Sequence, residues 1–256
     1  MVQRYVAIGD STVEGLDDPD GRGGYRGWAN RLAEKLTEVN PDLLYANLAI
    51  RGRTSEQVRA EQLEPALAME PDLVTLVAGL NDLLRPQYSL HETMTNLQVM
   101  HTALISAGAT VLTFTMPDLT PIAPVTKIVR KRLLTYNDAL RVLCRRTGAK
   151  LVEIDREPIC ADARLWSDDR LHANSLGHER IAGALAEGLG LPGADSSWRD
   201  PLPALPTPKW QNVVAAEVAW LRNHFVPWIV RHAKGVSSGD GVTPKRPALE
   251  AVRARG

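Results

Sequence analysis

The chain is poor in the residues that staple small secreted domains or hold metals. Its 256 residues include two cysteines, Cys144 and Cys160. Two thiols cannot build a disulfide framework, and their spacing fits no zinc motif, so they read as reduced core residues. Net charge is absent as well: 30 Lys and Arg balance 30 Asp and Glu. That removes the electrostatic basis for a nucleic-acid partner or an anionic membrane surface. No apolar run approaches the roughly 18 residues of a spanning helix. No basic-then-apolar leader opens the chain, because Met1-Val2-Gln3-Arg4 runs straight into a strand; a cytoplasmic protein is expected. Several motifs are also missing. There is no phosphate loop, no Gly-x-Gly-x-x-Gly after the first strand, and no His-Glu-x-x-His. Gly-x-Ser-x-Gly, the nucleophile turn of the α/β-hydrolase fold, is missing too. No cofactor is expected. No metal is expected either, since His172 and His178 lie six apart and lack an obvious third ligand.

What remains is an ordinary globular composition, 44% hydrophobic and 23% charged, long enough to bury a sizeable core. Short apolar runs at Val2–Ile8, Leu43–Leu48, Leu73–Ala78, Thr110–Met116 and Lys150–Ile154 read as buried strands. Helical periodicity separates them: Trp28–Val39, Thr54 to about Met69, Ser89 to about Ser106, Val125–Arg146 and Asn174–Leu189. Thr54-Ser55-Glu56-Gln57 and Ser89-Leu90-His91-Glu92 have capping-box form at two helix starts. Strands alternating with helices predict an α/β fold: a three-layer α/β/α sandwich around a parallel sheet of about five strands. Residues 1–190 are expected to form this domain. Residues 191–233 read as a proline-rich connector and an amphipathic helix, Lys209–His232, packing back on the domain. Residues 234–256 have the composition of a disordered tail. Lys127–Arg132 reads as a solvated helix face.

In open sheets of this kind, ligands bind beyond the carboxyl ends of the strands. Residues with chemistry cluster at those ends. Ser11 follows the first strand in a Gly-Asp-Ser turn that would expose its hydroxyl. A serine becomes a nucleophile when a base takes its proton. His172 is the candidate base, and Asp169, three residues earlier, can reach its far ring nitrogen from a tight turn. Asp168 is a rival carboxylate, and His178 a rival imidazole whose expected role is structural. Gly52 lets a backbone N–H approach a substrate, and Asn81 supplies an uncharged side-chain N–H. Both suit an oxyanion hole. The Leu83-Leu84 turn, the segment 118–128 with Ile122 and Val125, and Trp166 are candidates for the acyl-pocket wall.

On these residues the chain resembles the SGNH/GDSL hydrolase superfamily of esterases and lipases. The four letters map onto Ser11, Gly52, Asn81 and His172. Thr12 stands where the GDSL motif has leucine. Gly79-Leu80-Asn81-Asp82 is intact, as is Asp169 to His172 with Asn174 and Gly177 behind it. The resemblance covers about residues 3–190. It implies a flavodoxin-like sandwich and metal-free ester hydrolysis through an acyl-serine, with the Ser11 backbone N–H joining Gly52 and Asn81 in the oxyanion hole. A small-molecule ester with a small acyl group, such as an acetyl ester, is the expected substrate. An acyltransferase, a lipase or thioesterase for longer chains, and a non-catalytic binding module on the same sandwich are the competing readings. The oligomeric state is left open.

Overall fold

The computed structural model describes residues 1–204, Trp220, Arg222 and 238–252. Five parallel strands form the centre: β1 (Arg4–Gly9), β2 (Leu44–Asn47), β3 (Leu73–Val77), β4 (Thr110–Phe114) and β5 (Lys150–Val152). They lie in the order β5-β4-β3-β1-β2, which is the flavodoxin-like order. All the expected strands form; four are trimmed at their ends, and β1 starts later and runs one residue further, to Gly9.

The pleat sends alternate residues to opposite faces. Tyr5, Ala7, Leu73 and Val77 pack under α2 (Gly27–Val39) and α7 (Ser175–Leu189), with Trp28, Leu32 and Leu185. Val6, Ile8, Val74 and Leu76 pack on the other face under α3 (Ser55–Ala68), α5 (Leu90–Ser106) and α6 (Lys127–Thr147). Both faces of β1 and β3 are therefore dry, which explains their near-continuous hydrophobicity. Burying each aliphatic side chain contributes roughly 1.5–3 kcal/mol. The Thr54–Gln57 capping box is formed in full. Ser89 accepts a hydrogen bond from the Glu92 backbone N–H.

A sixth strand departs from expectation. β6 (Arg246–Ala251) pairs antiparallel with the outer edge of β2, matching Leu44 with Ala251 and Asn47 with Arg246. It comes from the stretch whose composition reads as a disordered tail. Arg-Pro-Ala-Leu-Glu-Ala has no apolar alternation, because what places it is backbone pairing across about 200 residues of chain. Pro247 is tolerated because the strand lies at an edge. The sheet is thus mostly parallel, with one antiparallel margin. The expected amphipathic helix, 209–232, lies outside the described residues except for Trp220 and Arg222. Among the described residues, no helix is long and apolar enough to cross a membrane.

Two short helices also emerge, α1 (Ser11–Glu14) after β1 and α4 (Leu80–Leu83) after β3. Each is a single turn, too short for periodicity to reveal. Both sit at the carboxyl edge of the sheet where β1 and β3 are neighbours. That is the topological switch point, where an open sheet leaves a crevice.

Candidate active site

Ser11 opens α1, and Asp10 caps it, accepting from the Thr12 N–H. This turn sets the serine hydroxyl at the sheet edge. Ser11 Oγ lies 3.0 Å from His172 Nε2. His172 Nδ1 lies 2.6 Å from Asp169 Oδ2. Residues 161 positions apart are thereby joined in one relay.

The loop that presents His172 is tightly built. Asp169 Oδ1 accepts from Ser167 Oγ at 2.7 Å, Leu171 N at 2.8 Å and His172 N at 2.9 Å. Arg170, between them, adopts φ 59°. Asn174 Nδ2 donates to the carbonyls of Arg164 and Trp166 and pins the loop from behind. Burial alone would raise the Asp169 carboxyl, but the His172 hydrogen bond and charge hold it well below the usual carboxylate range. For His172 the signs reverse. Burial pulls its pKa down, and the hydrogen bond and charge of Asp169 more than offset this, leaving it above 6.5. Asp17 and Asp10 push in the same direction. The ionised Asp169 thus keeps the proton on Nδ1 and leaves the Nε2 lone pair facing Ser11. Asp168, the rival carboxylate, makes no such contact with His172.

The oxyanion candidates face the same place. Gly52 has φ 74°, a conformation glycine adopts without strain. Arg51 N donates to Glu14 Oε2 at 2.8 Å, tying the Gly52 turn to the nucleophile helix. Asn81 Nδ2 donates to Arg53 O at 3.0 Å and lies 3.2 Å from Asp10 Oδ2. The Arg53 contact fixes the direction of the amide. Asp82, beside it, accepts from Ser55 N and Ser55 Oγ at 2.8 and 2.6 Å and so anchors α4 to α3.

Ser11, Gly52, Asn81, Asp169 and His172 all line one cavity of about 780 Å³. Its remaining wall is largely apolar, with Leu80, Leu83, Leu84, Phe114, Met116 and Leu133. The Leu83-Leu84 turn and Trp166 take the expected places on this wall. Ile122 and Val125 do not. From that segment the wall takes Asp118, Leu119 and Thr126 instead, with Val129 just beyond it, and a turn of 3₁₀ helix at Pro124–Thr126 leads into α6. Arg132, expected on a solvated face, donates to the carbonyls of Leu83 and Arg85 and braces the wall.

His178 is structural, as expected. Its Nδ1 accepts from Trp28 N at 3.1 Å, and its Nε2 donates to Leu16 O at 2.9 Å. Burial pushes its pKa down to about 4, so it stays neutral. Two further carboxylates lie near the relay, Asp10 of the Gly-Asp-Ser turn and Asp17. Asp10 is 1% exposed beneath Ser11, and burial pushes its pKa up to about 6. Asp17 brings a carboxylate oxygen within 4.8 Å of ligand atoms on Asp169 and His172. Asp17 stands at no spacing that reveals its contact.

A family model for the GDSL-like lipase/acylhydrolase family matches residues 7–180. The chain belongs to the GDSL-like lipase/acylhydrolase family. Solved structures show the same fold at low identity. A putative GDSL-like lipase from Parabacteroides merdae is 18% identical with a TM-score of 0.64, over 74% of this chain and 96% of that one. An acetylxylan esterase from Geobacillus stearothermophilus is 19% identical with a TM-score of 0.61, over 76% and 97%. An α/β hydrolase enzyme from the metagenome of Lake Arreo, Spain, is 22% identical with a TM-score of 0.62, over 74% and 95%. Comparison with curated proteins yields no match. The family match ends at residue 180, so the GDSL-like region includes the whole relay and excludes the end of α7, the connector and β6.

Proposed function

We propose that this GDSL-family protein is a serine-dependent carboxylic ester hydrolase working through an acyl-serine. The observation that carries this reading is the Ser11–His172–Asp169 relay, at 3.0 and 2.6 Å, opening on a cavity that Gly52 and Asn81 also line. His172 Nε2 takes the Ser11 proton as Oγ adds to the acyl carbon. The new oxyanion is held by the N–H groups of Ser11 and Gly52 and by Asn81 Nδ2. Collapse breaks the carbon–oxygen bond, and the alcohol leaves with the proton from His172. Water then adds to the acyl-serine by the same proton transfers, releasing acid and free Ser11.

A small acyl group is the first reading of specificity. A second has its own observation: a largely apolar cavity of about 780 Å³ is far larger than an acetyl group needs, and favours a longer chain. Hydrolysis of p-nitrophenyl esters from acetate to decanoate, by wild type and Ser11→Ala, tests both. Turnover should disappear in the variant; equal turnover by both proteins refutes the acyl-serine. A maximum at acetate would reject the longer-chain reading.

A further inference from the structure

The chain returns to the candidate site after the family match has ended. Residues 238–252 run from the Gly52 turn to the β2 edge, and several of their contacts fall beside the oxyanion candidates. Gly239 is buried against that turn. A Cβ at this position would stand 2.0 Å from Arg51 O, so no other residue can lie there without displacing the loop. Asp240 Oδ1 is 3.8 Å from Arg53 Nη1, and Arg53 O is the carbonyl that aims the Asn81 amide. Lys245 Nζ donates to three backbone carbonyls: Glu14 at 2.6 Å, Arg26 at 2.8 Å and Tyr25 at 3.1 Å. Burial pushes the Lys245 pKa down to about 7; in its ammonium form it has three protons to give, and this cradle accepts all three. Glu14 is the residue whose carboxylate receives Arg51 N. The strap therefore grips both ends of the link between the nucleophile helix and the Gly52 turn.

We propose that residues 238–252 form a strap that holds the oxyanion hole in register, with Lys245 and Gly239 as positioning residues. The effect on turnover rests on the ester-hydrolase reading above; the effect on the loop does not. The oxyanion donors must be in place before the transition state, so slack in the strap costs turnover more than substrate binding.

The test uses the full chain with Lys245→Met, which keeps the length and removes the charge, and Gly239→Val. Both should lower kcat on a p-nitrophenyl ester at least tenfold with KM changed less than twofold. Labelling of Ser11 by a fluorophosphonate should slow in proportion. Lys245→Cys alkylated with bromoethylamine restores an ammonium at nearly the same reach and should recover most of the loss. Leu104→Ala, a cavity variant on the buried face of α5, serves as the stability control; it should keep its kcat at temperatures where it is folded. Hydrogen exchange over residues 49–53 reads the loop whether or not esters are cleaved, and it should accelerate at least tenfold in both strap variants. Unchanged exchange there overturns the strap even if the enzyme is active. So does a kcat loss that the Leu104→Ala control matches, or one that the alkylated variant does not repair. An inactive wild type with accelerated exchange in the variants would instead reject the hydrolase reading and keep the strap.

Discussion

Replacing Asp169 by asparagine should do more harm to turnover than replacing it by alanine. Three donors converge on Asp169 Oδ1, from Ser167 Oγ, Leu171 N and His172 N. An asparagine must keep its oxygen there. The flipped amide would leave two backbone N–H groups without an acceptor, at about 1–3 kcal/mol each. The amide NH₂ then lies where Oδ2 now stands, 2.6 Å from His172 Nδ1, and donates to that nitrogen. The ring proton moves to Nε2, and Nε2 can no longer accept from Ser11. The analogous wrong-tautomer substitution in serine proteases costs about ten-thousandfold in kcat, equivalent to about 5 kcal/mol. Asp169→Ala leaves His172 free to choose either tautomer, so its kcat should fall less. It also strips all three Oδ1 donors of their acceptor, so its melting temperature should fall more. The assay is kcat on a short-chain p-nitrophenyl ester at a temperature where both variants are folded. Imidazole ¹⁵N shifts should show the Nδ1–H tautomer in wild type and the Nε2–H tautomer in the asparagine variant. An asparagine variant that keeps more than a tenth of wild-type turnover, or that outperforms the alanine variant, refutes the tautomer argument.

The remaining expectations follow from the same geometry. Because His172 must be neutral to act as base and its pKa sits above 6.5, kcat/KM should fall as pH drops through a value above 6.5; Asp169→Ala should move that limb to lower pH. For stability the pair works in a window. Asp169 contributes above its ordinary value of 3.8 and loses its contribution as pH falls through its lowered folded pKa. His172 contributes below 6.5 and loses its contribution as pH rises through its raised folded pKa. The melting-temperature gap between wild type and Asp169→Ala should therefore be widest from about pH 4 to 6.5, and a gap that does not vary with pH would count against the coupling. Asn81→Ala should lower kcat roughly a hundredfold, about 3 kcal/mol, with little change in KM; the reverse pattern would make Asn81 a binding group. Val129→Trp intrudes on the cavity wall and should shorten the preferred acyl chain in the ester series, whereas Ile122→Trp should not.

The amino-acid sequence by itself determined the alternation of elements, because buried strands and amphipathic helices carry their own periodicity. Leu73–Val77 and Gly27–Val39 were legible for that reason. It also exposed the separated fragments holding Ser11, Gly52, Asn81 and His172, since their chemistry needs particular residue types at strand ends. Gly52 and Asn81 are each ordinary turn residues taken alone, and they could be paired in advance only through the resemblance to the SGNH/GDSL pattern. The tertiary structure decided what depends on proximity rather than pattern. Asp17 becomes a neighbour of His172 because two loops meet, and no local spacing encodes that meeting. β6 exists because β2 offers an open edge, a property of the assembled sheet and not of the segment that fills it. The cavity wall includes Val129 and not Val125, a choice made by how the chain enters α6 and not by local pattern. Lys245, 231 residues from Glu14, is an ordinary surface lysine in sequence. Folding turns it into a three-pronged clamp, because an ammonium removed from water must find its acceptors in the chain that surrounds it.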